Sequence, residues 1–321
     1  MSEQQPTSSP QWEKLIVQGM REISTEMRRA RRWKNFFRAA ILLYLFFLLL
    51  SFSISTHEVN VERQRSHTAL IDIVGPIGSG EQANADSITA SLRAAFKDKQ
   101  TRGIILRINS PGGSPVQADL IYEEIQHLRA IHKKTKIYAV CSDMCTSAAY
   151  YIASATNDIY ADEESLVGSI GVLIDSFGLV DAMKKVGVDR RLYTAGKNKG
   201  FLDPFTPVTP EARAHIQSML STIHQRFINR VIEGRGKRLH QSDPDIFSGM
   251  VWTGIGAKKL GLIDAFGSAH QVARDVIKNK RIVDYTQRSN MLDRFAKQFG
   301  ASLGEAFTHG LQLAMLHTHI Q

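Results

Sequence analysis

The chain is predicted to be an α/β protein with one N-terminal transmembrane helix. Two observations predict the α/β part. Short apolar runs rich in β-branched residues alternate with longer segments of helical periodicity from about residue 67 onward. Breaks such as Gly75-Pro76 and Ser110-Pro111-Gly112-Gly113 close those runs where a strand would hand over to a helix. The third observation predicts the membrane helix. Residues 39–56 are 18 consecutive positions without a charge, and a helix of that length spans about 27 Å, close to the hydrocarbon thickness of a bilayer.

In chain order, residues 1–38 form a basic segment that precedes the anchor. Eight basic residues (Lys14, Arg21, Arg28, Arg29, Arg31, Arg32, Lys34, Arg38) face four acidic ones there, which predicts a cytoplasmic N-terminus. Trp12, Leu15, Ile16, Ile23 and Met27 share one helical stripe; a helix on anionic headgroups and an ordinary topology signal both fit it. Residues 39–56 are the anchor. A cleaved signal peptide is the competing reading, against which stand the long preceding segment and the poor cleavage site Ser53-Ile54-Ser55-Thr56. Residues 57–66 are a polar linker.

Residues 67–280 are expected to form one exported domain, a normal size for a single core. Its elements read as a strand at Ala69–Val74, a helix marked by Ala85, Ile88, Leu92, Ala95 and Phe96, and a strand at Gly103–Ile108. A helix with Val116, Leu120, Ile121, Ile125 and Leu128 inside comes next, then a strand at Lys136–Val140, a small-residue helix at Ser147–Ala155 and a strand near Asp158–Ala161. In residues 281–321, Phe295, Phe299, Leu303, Phe307, Leu311 and Met315 recur every four positions, which predicts an amphipathic helix for a neighbouring subunit or a membrane surface.

The net charge of +9 with a 22% charged, 43% apolar composition excludes a disordered chain and a polytopic membrane protein. Four of those nine charges lie in the first 38 residues, so nucleic acid is not an expected partner. Two cysteines cannot make a disulfide framework, and no Cys/His spacing resembles a zinc site. Cys141 and Cys145 read as buried small residues, although an oxidising compartment makes a bond between them possible.

Three segments have the polar and small-residue mix that chemistry needs. Asn109-Ser110-Pro111-Gly112-Gly113-Ser114 leaves backbone N–H groups unobstructed at a helix start, which suits a developing oxyanion; a plain turn is the alternative. In Cys145-Thr146-Ser147-Ala148-Ala149-Tyr150-Tyr151 the Ser147 hydroxyl stands at a helix start, where an N-cap is the bland explanation. Gly168-Ser169-Ile170-Gly171 and Gly196-Lys197-Asn198-Lys199-Gly200 form the third. A lysine there becomes a base only if burial depresses its pKa from about 10.4. His127, His132, His215 and His224 sit in polar helical stretches with no motif linking them to an Asp, which disfavours a Ser-His-Asp triad.

In this order and at these separations, Asn-Ser-Pro-Gly-Gly, a Ser followed by two small residues and Tyr-Tyr, Gly-Ser-Ile-Gly-Val and a Gly-x-x-Lys loop resemble the signal peptide peptidase A family in its short, single-domain bacterial form. Gly234-Arg235-Gly236 and Gly249-Met250-Val251-Trp252-Thr253-Gly254, with Gly261-Leu262-Ile263-Asp264, extend the resemblance over roughly residues 67–278. The resemblance implies a ClpP/crotonase-like α/β fold and a serine protease with a Ser-Lys dyad. Carried onto this chain, Ser147 is the nucleophile, Lys199 the general base and Ser169 the residue that orients the lysine, with the backbone N–H groups of Gly113 and Ala148 as the oxyanion hole. The family commonly has Gly-Gly where this chain has Ala148-Ala149. Thr146 and Lys197 are the neighbouring alternatives for nucleophile and base, and the register of the Gly-x-x-Lys pattern with the following Pro204 favours Lys199.

The implied substrates are signal peptides or other unfolded peptides at the membrane. The implied assembly is a homo-oligomeric ring in which Ser and Lys come from adjacent subunits, held to the lipid of a bacterial inner membrane with its catalytic domain outside the cytoplasm. No cofactor or metal is implied. A non-catalytic membrane scaffold on the same fold is the alternative from another class, and a crotonase-like acyl-CoA enzyme shares the fold without explaining the anchor.

Overall fold

The computed structural model describes residues 31–47, 65–240 and 243–287. Residues 31–47 form a helix, α1, with exposed side chains. Among the described residues no helix is long and apolar enough to cross a membrane. The anchor expected at 39–56 enters α1 only as far as Phe47, and its remainder lies outside the described residues, as do the N-terminal stripe and the C-terminal amphipathic segment.

From Arg65 the chain forms a separate unit built on an eight-stranded sheet. Strands β1 (His67–Val74), β2 (Thr101–Ser110) and β3 (Lys136–Thr146) are its centre, and β5 (Leu166–Gly168), β6 (Val251–Thr253) and β8 (Ile282–Asp284) complete the order β6-β5-β3-β2-β1-β8. Strand β4 (Asp158–Ala161) pairs with β3, and β7 (Ala265–Phe266) pairs with β4. Every pairing is parallel except β5 with β6. The apolar runs form these strands because Ile104, Ile105, Leu106 and Ile108 of β2 are covered on both faces, the expected state of a central parallel strand.

Helices α2 (Ala85–Lys97) and α3 (Pro115–Ile131) pack their apolar stripes into the main core, where Leu92, Phe96, Ile121 and Ile125 meet Ile71, Ile73 and Leu106. Ser114 caps α3 and Pro115 opens it, which starts the helix immediately after the glycine loop. The short α4 (Ala148–Ser154) is buried along its whole length. The long α6 (Pro210–Arg235) crosses it at Gly234, where a Cβ would lie 1.9 Å from the Ser154 carbonyl oxygen. The segment between them, residues 171–209, includes the short α5 (Val180–Lys185) and is almost entirely exposed.

Strand β3 decides where the site lies. Its first half pairs with β4 and its second half, Met144–Thr146, with β5. On the β2 side Cys141 faces Ile108 while Cys145 faces Ser110, so β3 bulges between them. The strand then ends beside the glycine loop that follows β2.

Candidate active site

Ser147 follows β3 directly and holds φ 54° and ψ −125°, a conformation that a residue with a side chain seldom adopts. Its backbone is held from two sides. The Ser147 N–H donates to the Gly168 carbonyl at 2.8 Å, and the Tyr151 N–H donates to the Ser147 carbonyl at 3.0 Å. Ser147 stands at the N-cap position of α4, but its side chain makes no capping hydrogen bond. The capping explanation therefore fails. The half-buried hydroxyl has no partner among the described residues. Thr146 is different: it is buried and its hydroxyl donates to the Pro111 carbonyl at 3.1 Å, which ties up the neighbouring candidate.

The glycine loop is pressed against this turn. Gly112 has φ +105°, and a Cβ there would sit 2.7 Å from the Ser147 Cβ. Gly113 has φ +149°, and a Cβ there would sit 2.1 Å from the Ile77 carbonyl oxygen. The Ile77 N–H donates to the Gly112 carbonyl and the Ser114 N–H to the Ile77 carbonyl, both at 2.8 Å, so the loop is clamped to the chain after β1. These close approaches explain why two glycines are needed. The Gly113 N–H has no partner among the described residues. Ala148 opens α4, so its N–H is one that a helix leaves unpaired internally.

The third wall is the turn after β5. Ser169 also has positive φ, 52°; its N–H donates to the Met250 carbonyl at 2.7 Å and its own carbonyl accepts from Gly171 at 2.9 Å. His224, expected to face solvent, is half-buried on α6 with its Nε2 3.1 Å from the Ile170 carbonyl oxygen, and it buttresses this turn. Trp252 lies under it: a Cβ at Gly168 would meet the indole Cδ1 at 2.9 Å. The Trp252 Nε1–H is buried without a partner. Neither His224 nor Trp252 was legible as a site neighbour, because each reaches the turn from an element distant in sequence.

The structure thus brings together Gly112, Gly113, Ser147, Ala148 and Ser169. It does not bring Lys199 into a hydrogen bond with any of them. Lys199 lies on the exposed 171–209 segment, where its backbone N–H donates to the Gly196 carbonyl at 3.1 Å. Its ammonium has no partner among the described residues, and Lys197 is likewise exposed. An Arg190–Asp203 ion pair, with the Arg190 guanidinium 5.2 Å from the Phe205 ring centroid, braces the base of this segment.

Two further polar clusters are structural. Arg235 is 1% exposed and forks onto Asp264 at 2.7 and 3.0 Å while donating to the Gly261 carbonyl. Burial alone would push the Asp264 carboxyl up, but the Arg235 hydrogen bond and charge overcome it and hold the group below the usual range. Asp119 accepts from Tyr151 at 2.7 Å and from Arg226 at 2.8 Å, fixing α4 against α3 and α6. Burial and the bond to Asp119 push the Tyr151 hydroxyl far up, so it stays a neutral donor.

The mixed, mostly parallel sheet with its strained serine at the end of β3 fits a ClpP-like α/β fold. A model of Clp protease matches residues 57–161, and a model of peptidase family S49 matches residues 129–283. The chain is 30% identical over 199 residues to a putative protease of Methanocaldococcus jannaschii, covering 60% of this chain and 63% of that one. It is 28% identical over 208 residues to a putative signal peptide peptidase SppA of Enterococcus faecium, covering 65% and 60%. It is also 44% identical over 194 residues to a Brucella melitensis protein named Na(+)/H(+) antiporter NhaA, covering 60% of this chain but 26% of that protein. The chain is similar to peptidase family S49 over residues 129–283, and it spans between a quarter and two thirds of the length of these relatives.

Proposed function

We propose that the chain is a membrane-anchored serine endopeptidase that cleaves signal peptides or other unfolded peptides at the membrane with a Ser-Lys dyad. The observation that carries this reading is Ser147: a positive-φ serine with an unpartnered hydroxyl, wedged against a two-glycine loop. Holding such a backbone costs on the order of 1–3 kcal/mol and persists only where the surroundings over-determine it, which is the pattern of a nucleophile presented for attack. The Ser147 hydroxyl attacks the scissile carbonyl while Lys199, neutral, takes its proton. The Gly113 and Ala148 N–H groups receive the oxyanion, and water later releases the acyl-enzyme. Ser169 orients the lysine.

The lysine half requires a second copy. An exposed ammonium cannot act as a base at neutral pH, so Lys199 must be desolvated by a surface that the described residues of one chain do not supply. The same segment exposes Leu173 at 80%, Phe177 at 77% and Tyr193 at 87%, apolar area of the kind that a neighbouring subunit covers. Lys199 of one subunit then serves Ser147 of the next around a ring, with α1 continuing into the bilayer. The test is peptide hydrolysis by the detergent-solubilised full chain beside Ser147→Ala. Loss of at least about 10³-fold in kcat is expected. Equal rates would sink the reading and leave a non-catalytic scaffold.

A further inference from the structure

Positive charge gathers at one edge of the sheet. Parallel strands start along a common edge, and the register places the starts of four strands side by side. Thr68 of β1 faces Ile282 of β8, His67 faces Thr101 of β2, and Gly103 of β2 faces Lys136 of β3. The chain that leads into these starts is basic. Lys97, Lys99 and Arg102 surround the entry to β2, and Lys133, Lys134 and Lys136 the entry to β3. Lys278, Lys280 and Arg281 lead into β8, and Arg65 stands two residues before β1. All are exposed except the half-buried Arg281.

The carboxylates nearby are already engaged. Asp98 accepts from the Tyr285 hydroxyl at 2.6 Å, Asp158 pairs with Arg238 at 3.3 Å and Asp275 with Arg274 at 2.8 Å. None of the seven lysines at this edge forms a salt bridge among the described residues. The opposite edge has the other sign. The connections after β1, β2 and β4 hold Glu81, Asp162, Glu163 and Glu164 and no lysine or arginine. The unit therefore carries a charge dipole along its strands, which orients it in the field of a charged surface.

We propose that this basic edge docks on an anionic lipid surface, its lysines and arginines meeting headgroup phosphates. A spread of flexible lysines matches a diffuse layer of headgroup charge, and Ile131, exposed two residues before Lys133, adds an apolar contact. The basic segments 97–102, 131–136 and 277–281 contain no Phe, Tyr or Trp, so they offer nucleic acid no stacking platform. Connectivity points the same way. The nine steps from Thr56, the end of the proposed anchor, to Arg65 reach at most about 30 Å, which keeps this edge near the bilayer. That last argument rests on the anchor reading; the charge complementarity does not.

Docking sets the height of the site. Lys136 opens β3 and Ser147 follows its last residue, so the length of one strand, roughly 30 Å, separates them. With the basic edge on the headgroups, Ser147 faces the aqueous side, and its substrate is a peptide that has left the bilayer by that distance. This consequence rests on Ser147 being the nucleophile.

The test reconstitutes the full chain in nanodiscs of phosphatidylcholine alone or with a third of the lipid replaced by phosphatidylglycerol. Mass spectrometry reads the rate at which a water-soluble acetylating reagent modifies each lysine. In the anionic discs Lys99, Lys134 and Lys280 are expected to label at least about fivefold more slowly, with Lys184 and Lys185 of α5 unchanged. Salt at about 0.5 M, where the Debye length is about 4 Å, is expected to restore the rates. A chain carrying Lys133→Glu, Lys134→Glu and Lys280→Glu is expected to lose the slowing at Lys99, while its buried cysteines stay unreactive as a check of the fold. Equal labelling in both discs, from a chain retained by both, would overturn the docking and leave the anchor. Retention by anionic discs alone would support the docking and remove the anchor; retention by neither would overturn both. Slowing at these lysines by single-stranded DNA, with none from anionic discs, would assign the edge to nucleic acid and overturn the proposal.

Discussion

The two halves of the proposed dyad stand in opposite physical conditions. Around Ser147 most backbone groups are bonded and α4 is buried throughout, and among the described residues the Ser147 hydroxyl and the Gly113 N–H are left without partners. Around Lys199 the chain is exposed for almost forty residues, held by local turns and the Arg190–Asp203 pair. In the proposed reading the nucleophile's geometry is completed by the fold of one chain and the base's environment is not, so the lysine would become active only when chains meet, which ties activity to assembly.

The sharpest way to break that contrast is complementation. Ser147→Ala and Lys199→Ala chains, each inactive by at least about 10³-fold, are expected to recover a fraction of peptide hydrolysis when co-assembled. No recovery in a confirmed mixed oligomer would place both groups in one chain. On the rigid side, Arg235→Ala should cost about 3 kcal/mol, read as a lower denaturant midpoint, because it empties a buried site and leaves the half-buried Asp264 carboxylate only Arg238 as an ion-pair partner. The pair also sets a pH dependence. The folded Asp264 pKa is lowered, so its contribution is full above the unfolded value of about 3.9 and fades as pH falls toward the lower folded one. Urea midpoints between pH 3 and pH 7 would show this, and the Arg235→Ala chain should show a smaller dependence, since Arg238 and the Ile159 N–H still favour the carboxylate.

Gly113→Ala should lower kcat by about 10²-fold with the fold retained, since the added methyl collides with the Ile77 carbonyl and turns the N–H away. Smallest of all, Lys197→Ala should leave kcat within about twofold. A large loss there would move the base from Lys199 to Lys197.

The sequence revealed the central strands because their cores are apolar runs, and α2 because its stripe is clean; in α3 Ile121, Ile125 and Leu128 are buried as expected, but Val116 and Leu120, expected inside, are exposed. Strands β5, β6 and β7 are two or three residues long, too short for any periodicity to register. The glycines of the loop after β2 were legible, since only glycine fits there. The strain at Ser147 and Ser169 was not, because serine carries no mark of positive φ. Pairing Arg235 with Asp264 depends on register that only the assembled sheet supplies. Motif resemblance singled out Arg235 and Asp264 without saying that their work is structural.

Trp252 lies under the turn that bears Ser169, and it is the only tryptophan after Trp33 in the sequence. The domain therefore carries its own optical probe. Light emitted from an indole in contact with Gly168, whose carbonyl holds Ser147, shifts when that turn moves, so acylation and subunit docking can each be followed without a label.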